Sequence, residues 1–318
     1  MSILISMVPA TLMVATPIII AALGGLFAER SGIVNICIEG IMMVGGFAGA
    51  TVCVLLESNP SLAPYAGWLG LLAGLIVGVI YSLLLAVSTI NFKADHTIAG
   101  TAINMLAAGI TIYMCQIIFG QQRTVAFSKG ISKMKTIPIL SDIPMIGQAF
   151  TGIYPTVFIA LILVVITWFV VYKTRFGLRL RSCGENPHAA ASMGINVYKT
   201  RYAAVMISGA YAGLAGAIMV LTNGIQYTSS SIHGVGFIAI AALIFGKWNP
   251  FGTLGAGLFF GFSSALGVYA SMIPLLNLIP SEFFACIPYV LTILALIIFS
   301  GKTVGPKASG QIYDAGKR

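Results

Sequence analysis

The chain has 318 residues, of which 58% are hydrophobic and only 8% charged, and its mean hydropathy is +0.99. Soluble domains carry roughly 25% charged residues, so this composition excludes a water-dissolved fold and specifies a chain that dissolves in lipid. The net charge of +9 does not indicate nucleic acid, because the cations are spread over breaks between apolar segments with no aromatic-interleaved basic face.

Met1 to Ala28 contains no charge, so it lacks the basic front of a cleaved signal and reads as a retained first helix. Glu29-Arg30-Ser31-Gly32 makes a short polar break. A second apolar stretch follows from Ile33 to Leu56, interrupted only by Glu39. Asn35 and Glu39, four apart, are expected on one helix face, about one and a half turns inside the membrane boundary. Ionisable groups at such depth face protein or water. Two readings stand for this pair: an acid hydrogen-bonded to a helix end, or a group along a solute path.

Pro60 and Pro64 mark a turn, and Gly67 to Phe92 is free of charge. Gly70, Gly74 and Gly78 form a small-residue seam there, a packing device in lipid. Lys93, Asp95 and His96 make the next break, ahead of an uncharged run from Thr97 to Gln122 with Asn104 and Gln116 inside it. Asn104 either lines a path or holds helices together. Arg123 to Asp142 is a mixed loop with Arg123, Lys129, Lys133 and Lys135. Counting spans places it outside, against its positive charge, unless a re-entrant segment lies upstream.

Ile153 to Tyr172 leads into the longest charge-dense interval, Lys173 to Arg201, and Tyr202 to Leu221 leads back. Six Lys and Arg residues there, against Glu185 alone, keep this loop in the cytoplasm. Asn186-Pro187 is a turn and helix start. A short helix is expected from His188 to Met193, stopping at Gly194, with small alanines that let it lie against another protein. Gly209, Gly213 and Gly216 put a close-packing face on the returning helix. Thr222 to Gly236 is rich in Ser, Thr and Gly, so Phe237 to Phe245, too short to cross about 30 Å of hydrocarbon, is expected as a short or re-entrant helix. Lys247-Trp248-Asn249-Pro250 returns the chain to the interface. Phe251 to Met272 and Phe283 to Ser300 are the last spans, and Lys302, Lys307, Lys317 and Arg318 are expected to keep the residues after them on the inside. The fold class is all-α: one polytopic transmembrane domain, 1–318, of about nine to ten transmembrane or re-entrant helices, with loop 173–201 in the cytoplasm.

Gly184-Glu185-Asn186-Pro187, then Ala189-Ala190, then Gly194-Ile195-Asn196-Val197 resembles the coupling loop of bacterial ABC-importer permeases of the branched-chain amino acid, simple sugar and nucleoside group. Glu29 to Asn35 with Glu39-Gly40, Ala94-Asp95 with Ala102-Ile103-Asn104, and Gly234 through Pro250 are similar to the same family, so the resemblance covers nearly the whole chain. The Glu-Arg-Ser-Gly start looks most like the nucleoside permeases. His188 stands where the family motif has Glu, which removes one acid from the docking face.

The resemblance implies an inner-membrane importer subunit without a cofactor. A cytoplasmic ATP-binding cassette ATPase would dock on Gly184, Glu185, Asn186, Pro187, His188, Ala189, Ala190 and Gly194. An external substrate-binding lipoprotein would deliver a nucleoside or other small solute. A second, longer and related permease subunit would complete the pore, received on the glycine seams. Asn35, Glu39 and Asn104 are the candidate pathway residues. ATP hydrolysis belongs to the partner, so the chain itself is expected not to be an enzyme.

Several patterns imitate chemistry. Ser300-Gly301-Lys302-Thr303 ends like a phosphate-binding loop, but Leu296 stands where its first glycine is required. Gly234-Val235-Gly236-Phe237-Ile238-Ala239 has dinucleotide spacing without a preceding strand. His96, His188 and His233 lie in separate breaks without ligand spacing. Four of the five cysteines, Cys37, Cys53, Cys115 and Cys286, sit in apolar runs and read as small hydrophobes. The rival function is an ion-coupled secondary transporter using Glu39 or Asp95; simple sugars and branched-chain amino acids are the alternative solutes.

Overall fold

The computed structural model describes residues 2–134, 152–269, 283, 286, 287, 290, 293, 294, 305–314 and 316. Residues 135–142 of the mixed loop, the stretch 300–303, Lys317, Arg318 and much of the last expected span lie outside the described residues. Ten α-helices are described in order: α1 Ser2–Arg30, α2 Ile38–Glu57, α3 Ala66–Ala86, α4 His96–Phe119, α5 Thr156–Lys173, α6 Arg175–Glu185, α7 Pro187–Ser192, α8 Val197–Asn223, α9 Val235–Phe245 and α10 Pro250–Tyr269. Six long helical stretches, ending at Arg30, Glu57, Asn91, Phe119, Lys173 and Asn223, are apolar and long enough to cross a membrane.

Local chemistry sets the helix ends. Asp95 caps α4 by accepting the Thr97 and Ile98 N–H groups at 2.8 and 3.0 Å, which holds its carboxyl below the usual range. Gly120, at φ +68, ends the same helix in the left-handed conformation that only glycine adopts freely. After α3 the backbone widens into a π-helical turn over Val87–Asn91 before the 92–95 connection.

The centre of the bundle is α8, packed against α1, α2 and α3, with α10 against α1. The two glycine series anticipated above face each other here. A Cβ at Gly78 would overlap the Gly209 carbonyl, one at Gly45 would overlap the Gly213 carbonyl, and one at Gly216 would overlap the Met42 carbonyl. In lipid, where no hydrophobic force draws helices together, such backbone-to-backbone approach supplies the van der Waals contact that does. The seams expected to receive partner subunits are therefore filled within the chain.

The bundle has two ends. Loop 173–201 marks the basal end, where a Cβ on Gly184 would overlap the Arg30 carbonyl. At the distal end, Ile131 N–H donates to Leu221 O and Glu57 accepts the Ser128 N–H, so segment 120–134 lies opposite the 173–201 loop. That segment zips onto the chain leaving α8: Thr124 N–H donates to Tyr227 O, Tyr227 N–H to the Thr124 hydroxyl, and Phe127 N–H to Ile225 O.

The stretch after Gly32 departs from the expected continuous helix. Gly32, at φ +93, ends α1, and residues 33–35 run without helix before a turn leads into α2 at Ile38. Asn35 and Glu39 therefore do not share a helix face. The freed backbone groups are satisfied by distant side chains: Val34 N–H donates to His96 Nδ1, and Asn104 Nδ2 donates to Ile36 O. Non-helical backbone at membrane depth is tolerated only where protein covers it.

Candidate functional site

Two regions bring the anticipated residues together. The first is a junction inside the bundle. Asn35 donates to the Ser208 hydroxyl at 2.8 Å, and Ser208 stands eleven residues into α8, about 16 Å from its basal end at 1.5 Å per residue. The break 31–37 thus climbs from the basal face to about mid-depth. Asn104 reaches the same place from α4; its Oδ1 accepts the Gly40 N–H at 2.7 Å while its Nδ2 holds Ile36 O at 3.0 Å. One amide side chain satisfies an orphan donor of the first turn of α2 and a carbonyl of the break before it.

Glu39 completes the junction. Its carboxylate accepts N–H groups from Gly234 at 2.7 Å and Gly236 at 2.6 Å, which are the N-cap and first-turn donors of α9. The acid also sits in the first turn of α2, so one negative charge faces the positive ends of two helices. Helix α9 is eleven residues long, about 16 Å, half of a bilayer core. It starts at mid-depth and ends basally at Phe245, three residues before Trp248, whose indole N–H donates to Glu29 and whose carbonyl accepts from Arg30 Nη2 at 2.9 Å. Helix α2, after its break, and the half-membrane helix α9, after residues 224–234, begin at one place; discontinuous helices of this kind mark solute sites in transporters.

The second region is the basal loop. Helix α6, Arg175–Glu185, was not anticipated; it buries Gly177, Leu180, Cys183 and Gly184 on one face, and burial pushes the Cys183 thiol up. Asn186 accepts the Ala189 N–H at 3.0 Å and Asn196 accepts the Lys199 N–H at 2.9 Å, so one asparagine cap starts α7 and another starts α8. Gly194 reverses the chain at φ +78. Of the eight anticipated docking residues, Glu185, Asn186, His188, Ala189 and Gly194 are exposed, whereas Gly184, Pro187 and Ala190 are buried. Ala190 packs with Cys183, Val197 and Tyr313, so it supports the helix rather than presenting a surface.

Met193 was missed. It is 83% exposed at the end of α7, a large apolar side chain standing in solvent beside a cleft of about 380 Å³ that Arg179, Ile195 and Lys199 also line. The signal lies in the sequence, because Met is a pliable contact residue and stands two residues after the last of the three alanines. Ser208, the Gly234 and Gly236 amides, and Tyr313 were missed too. Their roles arise from contacts across more than a hundred residues, which no local pattern carries.

A break at mid-depth in one helix, a half-length helix docked on it, and a capped helix held outside the bundle define a polytopic transport protein of the cell membrane. The family described as branched-chain amino acid transport system / permease component matches residues 7–296, and this chain belongs to it. The chain is 49% identical to the guanosine ABC transporter permease protein NupQ of Bacillus subtilis, over 98% of this chain and 97% of that one. It is 42% identical to the nucleoside ABC transporter permease protein NupC of Lactococcus lactis, over 96% of both chains. A glucose permease relative, the putative TsgC13 of Haloferax volcanii, is 33% identical over 84% of this chain and 78% of its own.

Proposed function

We propose that this chain is the membrane permease subunit of an ATP-driven importer that carries nucleosides inward. The observation that carries the reading is α7, a six-residue helix capped at Asn186, with His188, Ala189 and Met193 exposed on a basic loop. Such a helix offers a handle to a partner outside the membrane. Cations support its cytoplasmic side: Arg30, Lys93, Lys173, Arg175, Arg179, Arg181, Lys199 and Lys247 gather at the basal end, against Arg123, Lys129 and Lys133 at the distal end. Near-full-length identity to the guanosine and nucleoside permeases favours a nucleoside over a sugar or a branched-chain amino acid.

In this reading a separate ATPase docks on α7 and supplies the energy, since solute bound equally to two states drives no cycle. A binding protein delivers solute to the distal end, and a second permease subunit completes the pore. Glu39, Asn35 and Asn104 shape the path by holding the broken helices in place. The Glu39 oxygens already engaged by Gly234 and Gly236 argue for positioning rather than ion coupling.

The test is uptake of labelled guanosine by vesicles holding the assembled complex, with and without ATP inside the motor compartment. Uptake that requires ATP, and that unlabelled adenosine but neither glucose nor leucine competes away, supports the reading. Uptake driven by a proton or sodium gradient in vesicles lacking the ATPase overturns it.

A further inference from the structure

Residues 305–314 form no helix, yet Pro306, Ala308 and Tyr313 are buried. This segment is tied at four places on the basal face. Ala308 N–H donates to Gly184 O at 2.8 Å, at the end of α6 where α7 begins. Gly310 N–H donates to Gly32 O at 3.0 Å, at the foot of the break that climbs to Asn35 and Glu39. The Tyr313 ring packs at a tilt against His188 of α7 and Tyr198 of α8, at 5.1 and 5.3 Å between centroids. Asp314 pairs with Lys93 of the α3–α4 connection at 2.8 Å, which raises the Lys93 pKa through that hydrogen bond.

Arg201 joins these ties. The side chain is 2% exposed; its Nε donates to Ser31 O and its Nη1 to Gln311 O, both at 3.2 Å, while its guanidinium lies 5.9 Å from the centre of the Tyr313 ring. A buried guanidinium spanning the break and the tail fixes their spacing. Among the described residues, helix α7 makes substantial helix contacts only with its chain neighbours α6 and α8. Residues 305–314 add a direct link from the His188 ring of α7 to Gly32 and Lys93.

We propose that residues 305–314 are a strap that carries the displacement of α7 to the Gly32 end of the broken helix and to the α3–α4 connection, with Tyr313 and Asp314 as positioning residues. The proposal rests on α7 being the docking helix. Coupling energies between sites commonly amount to between about fivefold and 150-fold, which sets the size of effect to look for.

The experiment uses the assembled complex in vesicles, with guanosine as the probe, and measures guanosine uptake and ATP hydrolysis in the same preparation. Tyr313→Ala is expected to lower uptake per ATP roughly tenfold while the ATPase still co-purifies, and Tyr313→Phe, which keeps the ring, to retain the ratio. Lys93→Asp and Asp314→Lys are each expected to lower the ratio, and the double exchange to restore it; this arm stands if Tyr313→Ala does not assemble. An unchanged ratio, or a loss of yield with the ratio intact, overturns the strap. Retention of the ATPase by both Met193→Glu and Ala189→Trp instead overturns the docking reading, independently of the ratio.

Discussion

Glu39 accepts the Gly236 N–H at 2.6 Å across 197 residues of chain. This bond joins the first turn of α2 to the first turn of α9, so the beginning of the helix after the break fastens the beginning of the half-membrane helix. A carboxylate there is well placed because both helix ends present orphan N–H groups and positive dipole ends.

Replacing Glu39 by Ala leaves the Gly234 and Gly236 donors without a partner inside the bundle. Losing charge-assisted bonds of this kind costs about 2–3 kcal/mol, so Glu39→Ala is expected to lower the thermal midpoint of the detergent-solubilised protein and abolish ATP-coupled uptake. Glu39→Gln, which keeps an acceptor oxygen, is expected to recover part of both. Full loss of uptake in Glu39→Gln with the thermal midpoint intact would mean that the charge itself, and not the tie to α9, is what transport requires.

Asn104 makes the matching tie on the other side. Asn104→Leu preserves bulk but strands the Gly40 N–H and the Ile36 carbonyl, at a cost of about 1–3 kcal/mol per buried unsatisfied group. Hydrogen exchange should then rise over 33–41 before it rises elsewhere. Uniform protection across the variant would show that the break is held by other contacts.

The glycine seam offers a paired test within one bundle. A methyl on Gly216 meets the Met42 carbonyl, whereas Gly109, on the exposed side of α4, has nothing within 4 Å of a Cβ. Gly216→Ala is expected to reduce the folded fraction by pushing α2 from α8, with a cost of about 1–3 kcal/mol. Gly109→Ala is expected to be neutral or to stabilise by about 0.5–1 kcal/mol, since Ala forms helix more readily. Equal behaviour of the two variants in detergent melting would contradict the packing described for α8.

On the basal loop, exposed and buried residues should separate. Met193→Glu and Ala189→Trp alter solvent-facing positions, so the permease should reach the membrane in normal amounts and lose its ATPase in co-purification. Ala190→Trp disturbs the packing of Cys183, Val197 and Tyr313 and is expected to lower the yield as well, by the usual overpacking cost of about 1–3 kcal/mol. Co-purification unaffected by Met193→Glu and Ala189→Trp together would place the docking surface elsewhere.

Membrane class, most helix positions and the basic loop were readable from composition and spacing, because a segment that crosses hydrocarbon must be apolar along its whole length and cations mark its ends. The short helix at Pro187 and its stop at Gly194 followed from cap chemistry that is local by nature. Tertiary structure alone decided that Asn35 leaves the helix to meet Ser208, that Glu39 faces Gly234 and Gly236, that the glycine seams close on each other, and that Tyr313 lies under His188. In each case the residue's own neighbours in sequence permit a regular helix or a free loop. For Asn35 and Glu39 the outcome was set by polar groups that lipid will not solvate, which had to find partners wherever the folded chain brought one within reach; for the seams and Tyr313 it was set by which surfaces the fold packs together.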